Sequence, residues 1–272
     1  MIDLCVVNYN TKPNLEKLLD TLHSDSTNPK NWKLYITDNG SIDGTVKWIK
    51  KHINKYLVDR LLLKKNNGYA FACNYMASKS NSDIIGFLNA DVWLTSNDVQ
   101  KIQKVFDENP HIHILGPKLR NEEHRIVHAG IVGNNSYPEP RGWMELDEND
   151  KLYKDRIECI AVSGSAFFIR RHVWNVLTNH PKYKRIFDTA AGAFLPTPHY
   201  YEDIWCSYFA RFLGYKVFYD GSISLGHTFH ASSPLPDQSN EAPEFKLLPI
   251  SREMFIRTCE IVGVQPDIIF NE

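Results

Sequence analysis

The 272-residue sequence predicts an α/β fold, a mixed but mainly parallel sheet flanked by helices, and three observations point to it. Short apolar runs alternate with helix-period segments through the first half of the chain. The strand candidates are apolar throughout, as strands covered on both faces are. Polar clusters, Asp38-Asn39-Gly40-Ser41, Asn66-Asn67-Gly68 and Asn89-Ala90-Asp91, follow those strands directly. Open α/β sheets bind their ligands at such carboxyl ends.

Taken in order, Ile2 to Val7 reads as a strand, and Leu15, Leu18, Leu19 and Leu22 line one face of a helix over Asn14 to Leu22. Lys33 to Thr37, Arg60 to Leu63 and Ile84 to Leu88 are the next strands, separated by helices over Thr45 to Tyr56 and Tyr69 to Ser78. Thr95 with Asp98 forms a capping-box pattern for a helix that runs to Asn109 and stops at Pro110. After Pro117 the pattern changes. Ile126 to Val132, Glu158 to Val162 and Ala166 to Arg170 read as strands of a mixed extension, with a long surface loop from Gly133 to Lys154. A helix opens at Glu202. Pro234, Pro236, Pro243 and Pro249 precede a short helix near Ser251 to Val262. The expected organisation is one domain over residues 1–235 and a C-terminal tail over 236–272 that packs on the domain or joins copies into a homo-oligomer.

With 43% hydrophobic and 23% charged residues the chain is long enough to bury one large core. A net charge of −1 gives no global field for a polyanion, though a local basic groove stays open. Five cysteines without a C-x-x-C pair, set in apolar segments, read as buried thiols in a reducing compartment. The start resembles a strand rather than a signal peptide, and no stretch reaches the roughly 18 apolar residues of a membrane span. The expected location is cytoplasmic.

Glu202 and Asp203 open their helix at its positive end, where a carboxylate stays ionised and can serve as a base. Favourable capping explains the same pair. Asn89-Ala90-Asp91 offers oxygen ligands at a strand end, suited to a hard cation on a diphosphate; a cap for the next loop is the alternative. The Asp38 to Gly44 stretch makes a tight turn that can bond base and ribose edges, or simply caps the following helix. In Gly226-His227-Thr228-Phe229-His230, two histidines three apart suit a metal, and His227, just past the last strand, is the preferred ligand. His111, His113, His124 and His128 are expected at the solvated surface. There is no G-x-G-x-x-G after the first strand and no P-loop pattern. Thr189 to Pro198, rich in small residues around Gly192, reads either as a lid in which Phe194 and Leu195 cover a bound ligand or as an ordinary surface loop.

The ordered series Val6-Val7-Asn8-Tyr9-Asn10, Asp38-Asn39-Gly40-Ser41, Asn66-Asn67-Gly68-Tyr69-Ala70 with Asn74, Phe87-Leu88-Asn89-Ala90-Asp91, Ser163-Gly164-Ser165-Ala166-Phe167, Phe187-Asp188, Glu202-Asp203 and His227 with Ser232 resembles the inverting family-2 glycosyltransferases. Each motif is weak, but their order is specific. The resemblance implies a GT-A type, Rossmann-like fold and a nucleoside diphosphate sugar donor. Asn8, Tyr9, Asn10 and Asp38 would hold the nucleoside, Asn67 and Gly68 would approach the ribose or diphosphate, and Asn74 and Asn89 would add donor contacts. Asp91 would bind Mg²⁺ or Mn²⁺, with His227 completing that site. Asp203 would be the catalytic base and Glu202 its orienting partner. Gly164, Ser165 and Trp205 would face the acceptor.

Two departures stand out. Trp205 occupies the second acidic position of the family's Glu-Asp-x-Asp pattern, suggesting a stacking surface for a sugar ring. The metal motif is reduced to Asn89-Ala90-Asp91. The expected activity is inverting transfer from a uridine or thymidine diphosphate sugar to a hydroxyl of a glycan, a protein or a modified nucleic-acid base. The alternative is a non-catalytic sugar-nucleotide or glycan-binding module on the same fold.

Overall fold

A computed structural model describes residues 1–24, 31–134, 137–146, 153–187, 192–228 and 245–264. The elements run β1 (Ile2–Asn8), α1 (Lys12–Leu22), β2 (Trp32–Asp38), α2 (Thr45–His52), β3 (Arg60–Leu63), α3 (Tyr69–Lys79), β4 (Ile84–Asn89), β5 (Val92–Trp93), α4 (Ser96–Glu108), β6 (Ile114–Arg120), β7 (Ile126–His128), β8 (Ile131–Asn134), β9 (Tyr137–Pro140), β10 (Arg156–Glu158), β11 (Ala166–Arg170), α5 (Arg171–Thr178), α6 (Pro181–Ile186), α7 (Glu202–Phe212), β12 (Val217–His227) and α8 (Leu248–Val262). A ten-stranded sheet has the order β10-β12-β6-β11-β4-β1-β2-β3, with β5 added to β12 and β7 to β6. The longest pairings, β1 with β2 and β4 and β6 with β12, are parallel, while β11 runs antiparallel between β4 and β6.

Strands apolar throughout are explained by two cores. Ile2, Leu4 and Val6 of β1 face α1, α2 and α4; Cys5 and Val7 face the side covered by α3, α5, α7 and α8. The Thr95–Asp98 capping box forms as expected. All five cysteines are buried free thiols. No helix among the described residues is long and apolar enough to cross a membrane.

Five features differ from expectation. Pro117 does not end the apolar pattern: it sits inside β6, opposite Asp220 at a bulge in β12, where its missing N–H disrupts no ladder. The single strand expected over Ile126 to Val132 breaks at Gly130, which adopts φ +86°. β10 ends at Glu158, where a strand was expected to begin. The expected surface loop after Gly133 includes β9, paired with β8. α8 starts three residues earlier than expected and packs Phe255, Cys259 and Val262 into the core beside α7.

The lid reading is overturned. Ala193, Phe194 and Leu195 are fully buried, and the Phe194 ring packs against Phe87, Phe167 and Trp174. Apolar side chains in a small-residue segment serve the core here, not a ligand. Thr189 to Ala191 lie outside the described residues.

Candidate active site

The carboxyl ends of β1, β2 and β4 lie side by side, with Asn8 opposite Asp38 and Val7 opposite Asn89. Beyond them opens a cleft of about 450 Å³, lined by Tyr9, Asn39, Asn66, Gly68, Tyr69, Asn89, Asp91, the Ser163–Ser165 turn, His199, Tyr200, Glu202 and Asp203. Among the described residues its wall carries three carboxylates and neither lysine nor arginine.

The floor is a closed hydrogen-bond network. Asn8 Nδ2 donates to Asp38 Oδ2 at 2.8 Å and to Ser41 Oγ at 3.1 Å, while its Oδ1 accepts from Thr11 at 2.8 Å. Asp38 accepts from the Gly40 and Ser41 N–H groups and from the Ser41 hydroxyl. The expectation that Asn8 and Asp38 grip the nucleoside is therefore corrected: both are buried with their polar atoms engaged, and they shape the turn instead. Asn10, at φ 52°, accepts the Ile42 N–H and belongs to the same scaffold. Tyr9 is 41% exposed on the cleft wall, as a nucleoside contact requires. Asn67 is exposed outside the lining, and its neighbour Asn66 takes the cleft position. Asn39 was not singled out as a binding residue; its Oδ1 is buried without a hydrogen bond in the cleft wall.

Two further expectations fail on packing. Asn74 Nδ2 donates to the Phe194 carbonyl at 2.8 Å and its Oδ1 accepts the Phe194 N–H at 3.1 Å, so it anchors the segment before the cleft and stands outside the cleft lining. Trp205 is fully buried, stacked on Tyr183 and tilted on Phe209, and offers no surface to an acceptor. The aromatic wall comes from residues the sequence did not mark. His199 and Tyr200 meet edge to face at 4.0 Å, with Tyr200 37% exposed. Tyr200 and Tyr201 take φ of 62° and 71°, a left-handed elbow costing roughly 1–2 kcal/mol per residue. Thr197 donates to the Tyr200 carbonyl at 2.6 Å, Ser251 of α8 accepts the His199 N–H at 3.2 Å, and together they hold the elbow that launches α7.

Asp203 is fixed by its surroundings. Its Oδ2 accepts the Gly164 N–H at 2.6 Å and its Oδ1 the Ile204 N–H at 2.7 Å. A Cβ on Gly164 would stand 3.2 Å from that Oδ2, so only glycine gives the approach without displacement. Tyr69 donates to the Gly164 carbonyl at 2.6 Å, and Asn89 donates to Ser165 Oγ at 3.2 Å. The expectation that the helix terminus keeps both acids ionised is corrected. Burial, with repulsion from Asp203 second, pushes Glu202 up to about 8; burial also raises Asp203, against the Gly164 and Ile204 N–H groups.

Next to Asp91 in sequence, β5 pairs antiparallel with the end of β12, bringing His227 level with Val92. His227 Nε2 lies 3.3 Å from Asp91 Oδ1, both nearly buried, and that Oδ1 accepts no hydrogen bond. One carboxylate and one imidazole suit Mn²⁺ or Mg²⁺ held jointly with substrate phosphates, and no cluster of three or more protein ligands occurs among the described residues. Asp188, His230 and Ser232 lie outside the described residues. His128, expected in solvent, is buried at the end of β7; burial, with His227 second, pushes its imidazole down to about 3.

The profile of glycosyl transferase family 2 matches residues 3–177, well over half of the chain. The chain belongs to this family. An abequosyltransferase, RfbV of Salmonella typhimurium, is 21% identical over 194 residues, 65% of this chain and 55% of the relative. The chain thus spans about half the length of that relative. Among solved structures, GalNAc-T7 with UDP, GalNAc and Mn²⁺ superposes with a TM-score of 0.65 at 16% identity, over 96% of this chain and 47% of the other. TarS 1–349 of S. aureus in complex with UDP-GlcNAc gives 0.55 at 14% identity, over 96% and 70%. These likenesses establish the GT-A fold.

Proposed function

We propose that this chain is a metal-dependent, inverting glycosyltransferase that moves a sugar from a nucleoside diphosphate sugar, a UDP- or dTDP-sugar first, to an acceptor hydroxyl. The observation that carries the reading is one cleft lined by Asp91, with His227 3.3 Å behind it, and by the fixed pair Glu202 and Asp203. A diphosphate brings negative charge into a wall whose described residues hold carboxylates and no lysine or arginine, so its binding needs a cation. Asp91 and His227 would hold that ion, which supplies Lewis-acid stabilisation to the leaving diphosphate oxygens.

Tyr9 and Asn39 would contact the nucleoside, over a floor set by Asn8 and Asp38. Asp203, held by two N–H groups that favour its charged form, would take the acceptor proton, worth roughly 10²- to 10⁴-fold in rate. Glu202, protonated near neutrality, would donate a hydrogen bond that orients the acceptor or Asp203. A single base across the cleft from the leaving group gives displacement with inversion. Tyr200 and His199 offer the apolar wall first assigned to Trp205. The UDP and UDP-GlcNAc complexes of the structural neighbours support a uridine donor. Five buried thiols support a cytoplasmic site of action.

The test is a panel of nucleotide sugars incubated with Mn²⁺ or Mg²⁺ and a glycan mixture, with products read by mass spectrometry. Turnover of one UDP- or dTDP-sugar, abolished by chelator, is expected. Full turnover in chelator contradicts the metal assignment; tight donor binding with no turnover across the panel indicates the non-catalytic binding module.

A further inference from the structure

His128 lies at the end of β7, paired with Leu119 of β6, and carries its ring into the core edge-on to Tyr219. Its Nε2 accepts two backbone N–H groups, from Gly130 at 3.3 Å and from Ser163 at 3.2 Å. An imidazole nitrogen that accepts carries no proton, so the ring is the Nδ1–H tautomer. His128 is absent from the cleft wall, while Ser163 is part of it.

Ser163 opens a three-residue turn that is tied to a different element at each position. Ser163 is held by His128; the Gly164 N–H reaches Asp203 of α7 and its carbonyl accepts from Tyr69 of α3; the Ser165 carbonyl accepts the Asn89 N–H of β4 at 3.0 Å. The short Gly164–Asp203 bond leaves little room for the turn to drift.

We propose that His128 is a positioning residue for the transfer site, its Nε2 holding the Ser163–Ser165 turn where the Gly164 N–H meets the Asp203 carboxylate. The inference rests on the reading of Asp203 as the base. Removing the Nε2 acceptor frees the Ser163 N–H, the turn relaxes, and Asp203 loses a donor that favours its charged form. Asp203 is otherwise faced by Glu202 and Cys206 on its own helix and by Tyr69 and Cys73 of α3, all left in place by a change at His128.

His128→Gln and His128→Asn separate the roles, because a glutamine oxygen reaches the Nε2 position and an asparagine oxygen falls short. The primary readout needs no substrate: the Asp203 carboxyl is titrated by carbon-13 NMR in the full chain labelled at aspartate, its signal assigned with Asp203→Asn. In His128→Asn the Asp203 titration moves to higher pH, and kcat for the nucleotide sugar that the wild type consumes fastest falls roughly ten-fold while its KM stays within about three-fold. His128→Gln restores both. An unmoved Asp203 titration in folded His128→Asn, with only the melting temperature lowered, overturns the proposal. Should His128→Asn fail to fold, His128→Gln decides alone: wild-type titration and kcat support the acceptor role, and a displaced titration in the folded variant overturns it. A displaced Asp203 titration in His128→Asn with an unchanged pH profile of kcat upholds the positioning and rejects Asp203 as the base.

Discussion

Asp203 and Glu202 are adjacent acids in one environment with different bonding, and the roles proposed for them follow that difference. Asp203→Asn keeps the shape and the Gly164 contact but accepts no proton, so donor affinity measured by calorimetry should persist while transfer falls by roughly 10² or more. Glu202 gives a stability signature. Its pKa rises from 4.5 to about 8 on folding, so the folded chain holds a proton that the unfolded chain has released. That stabilising proton is fully present below the unfolded value and is lost as pH rises through the folded one. The melting temperature should therefore fall between about pH 5 and pH 8, and Glu202→Gln should flatten that slope; an equal slope in both proteins would refute the assignment. At this scale the positions of Asp91 and Asp203 in the cleft wall, and of His227 beside Asp91, were legible from their places at strand and helix ends. Asn8 and Asp38 were legible in place but not in role, since their mutual bond joins residues 30 positions apart. Trp205 misled because its helix is apolar on most faces, and only packing shows that the ring turns inward.

The elements that deliver these residues are short, and their pairing matters more than their propensity. β5 has two residues, yet its ladder with β12 brings Asp91 and His227 together. Asp91→Ala should weaken Mn²⁺-dependent donor binding with little change in melting temperature, and His227→Ala should do the same; donor affinity indifferent to both variants and to chelator would remove the metal site. β6 escaped the sequence reading because a proline sits mid-strand, and the bulge in a partner about 100 residues away cannot be seen locally. The segment after Ala191 was misread for a related reason: glycine there answers to Asn74, whose side chain would stand 2.1 Å from an added Cβ. Gly192→Ala should accordingly destabilise by about 1–3 kcal/mol through overpacking. Trp205→Ala should cost about 3–5 kcal/mol in a denaturant titration and leave donor specificity unaltered in the surviving folded fraction.

At the scale of the molecule, two cores on opposite faces hold one sheet, and the cleft opens at its edge where β1, β2 and β4 end. This architecture was legible because uniformly apolar strands demand cover on both faces. Less legible was the part played by α8, whose Phe255 packs on Tyr201 and Trp205 and whose Ser251 holds the elbow before α7. The carboxylate pair thus depends on residues more than 40 positions downstream, which no local pattern announces. The proposed function has this cleft move a sugar in one displacement, with Asp203 as the base. Real-time proton NMR of the anomeric signals during turnover of the nucleotide sugar tests it most directly. An inverted product anomer from the wild type and negligible product from Asp203→Asn are predicted; a retained configuration, or equal rates in the two proteins, would contradict it.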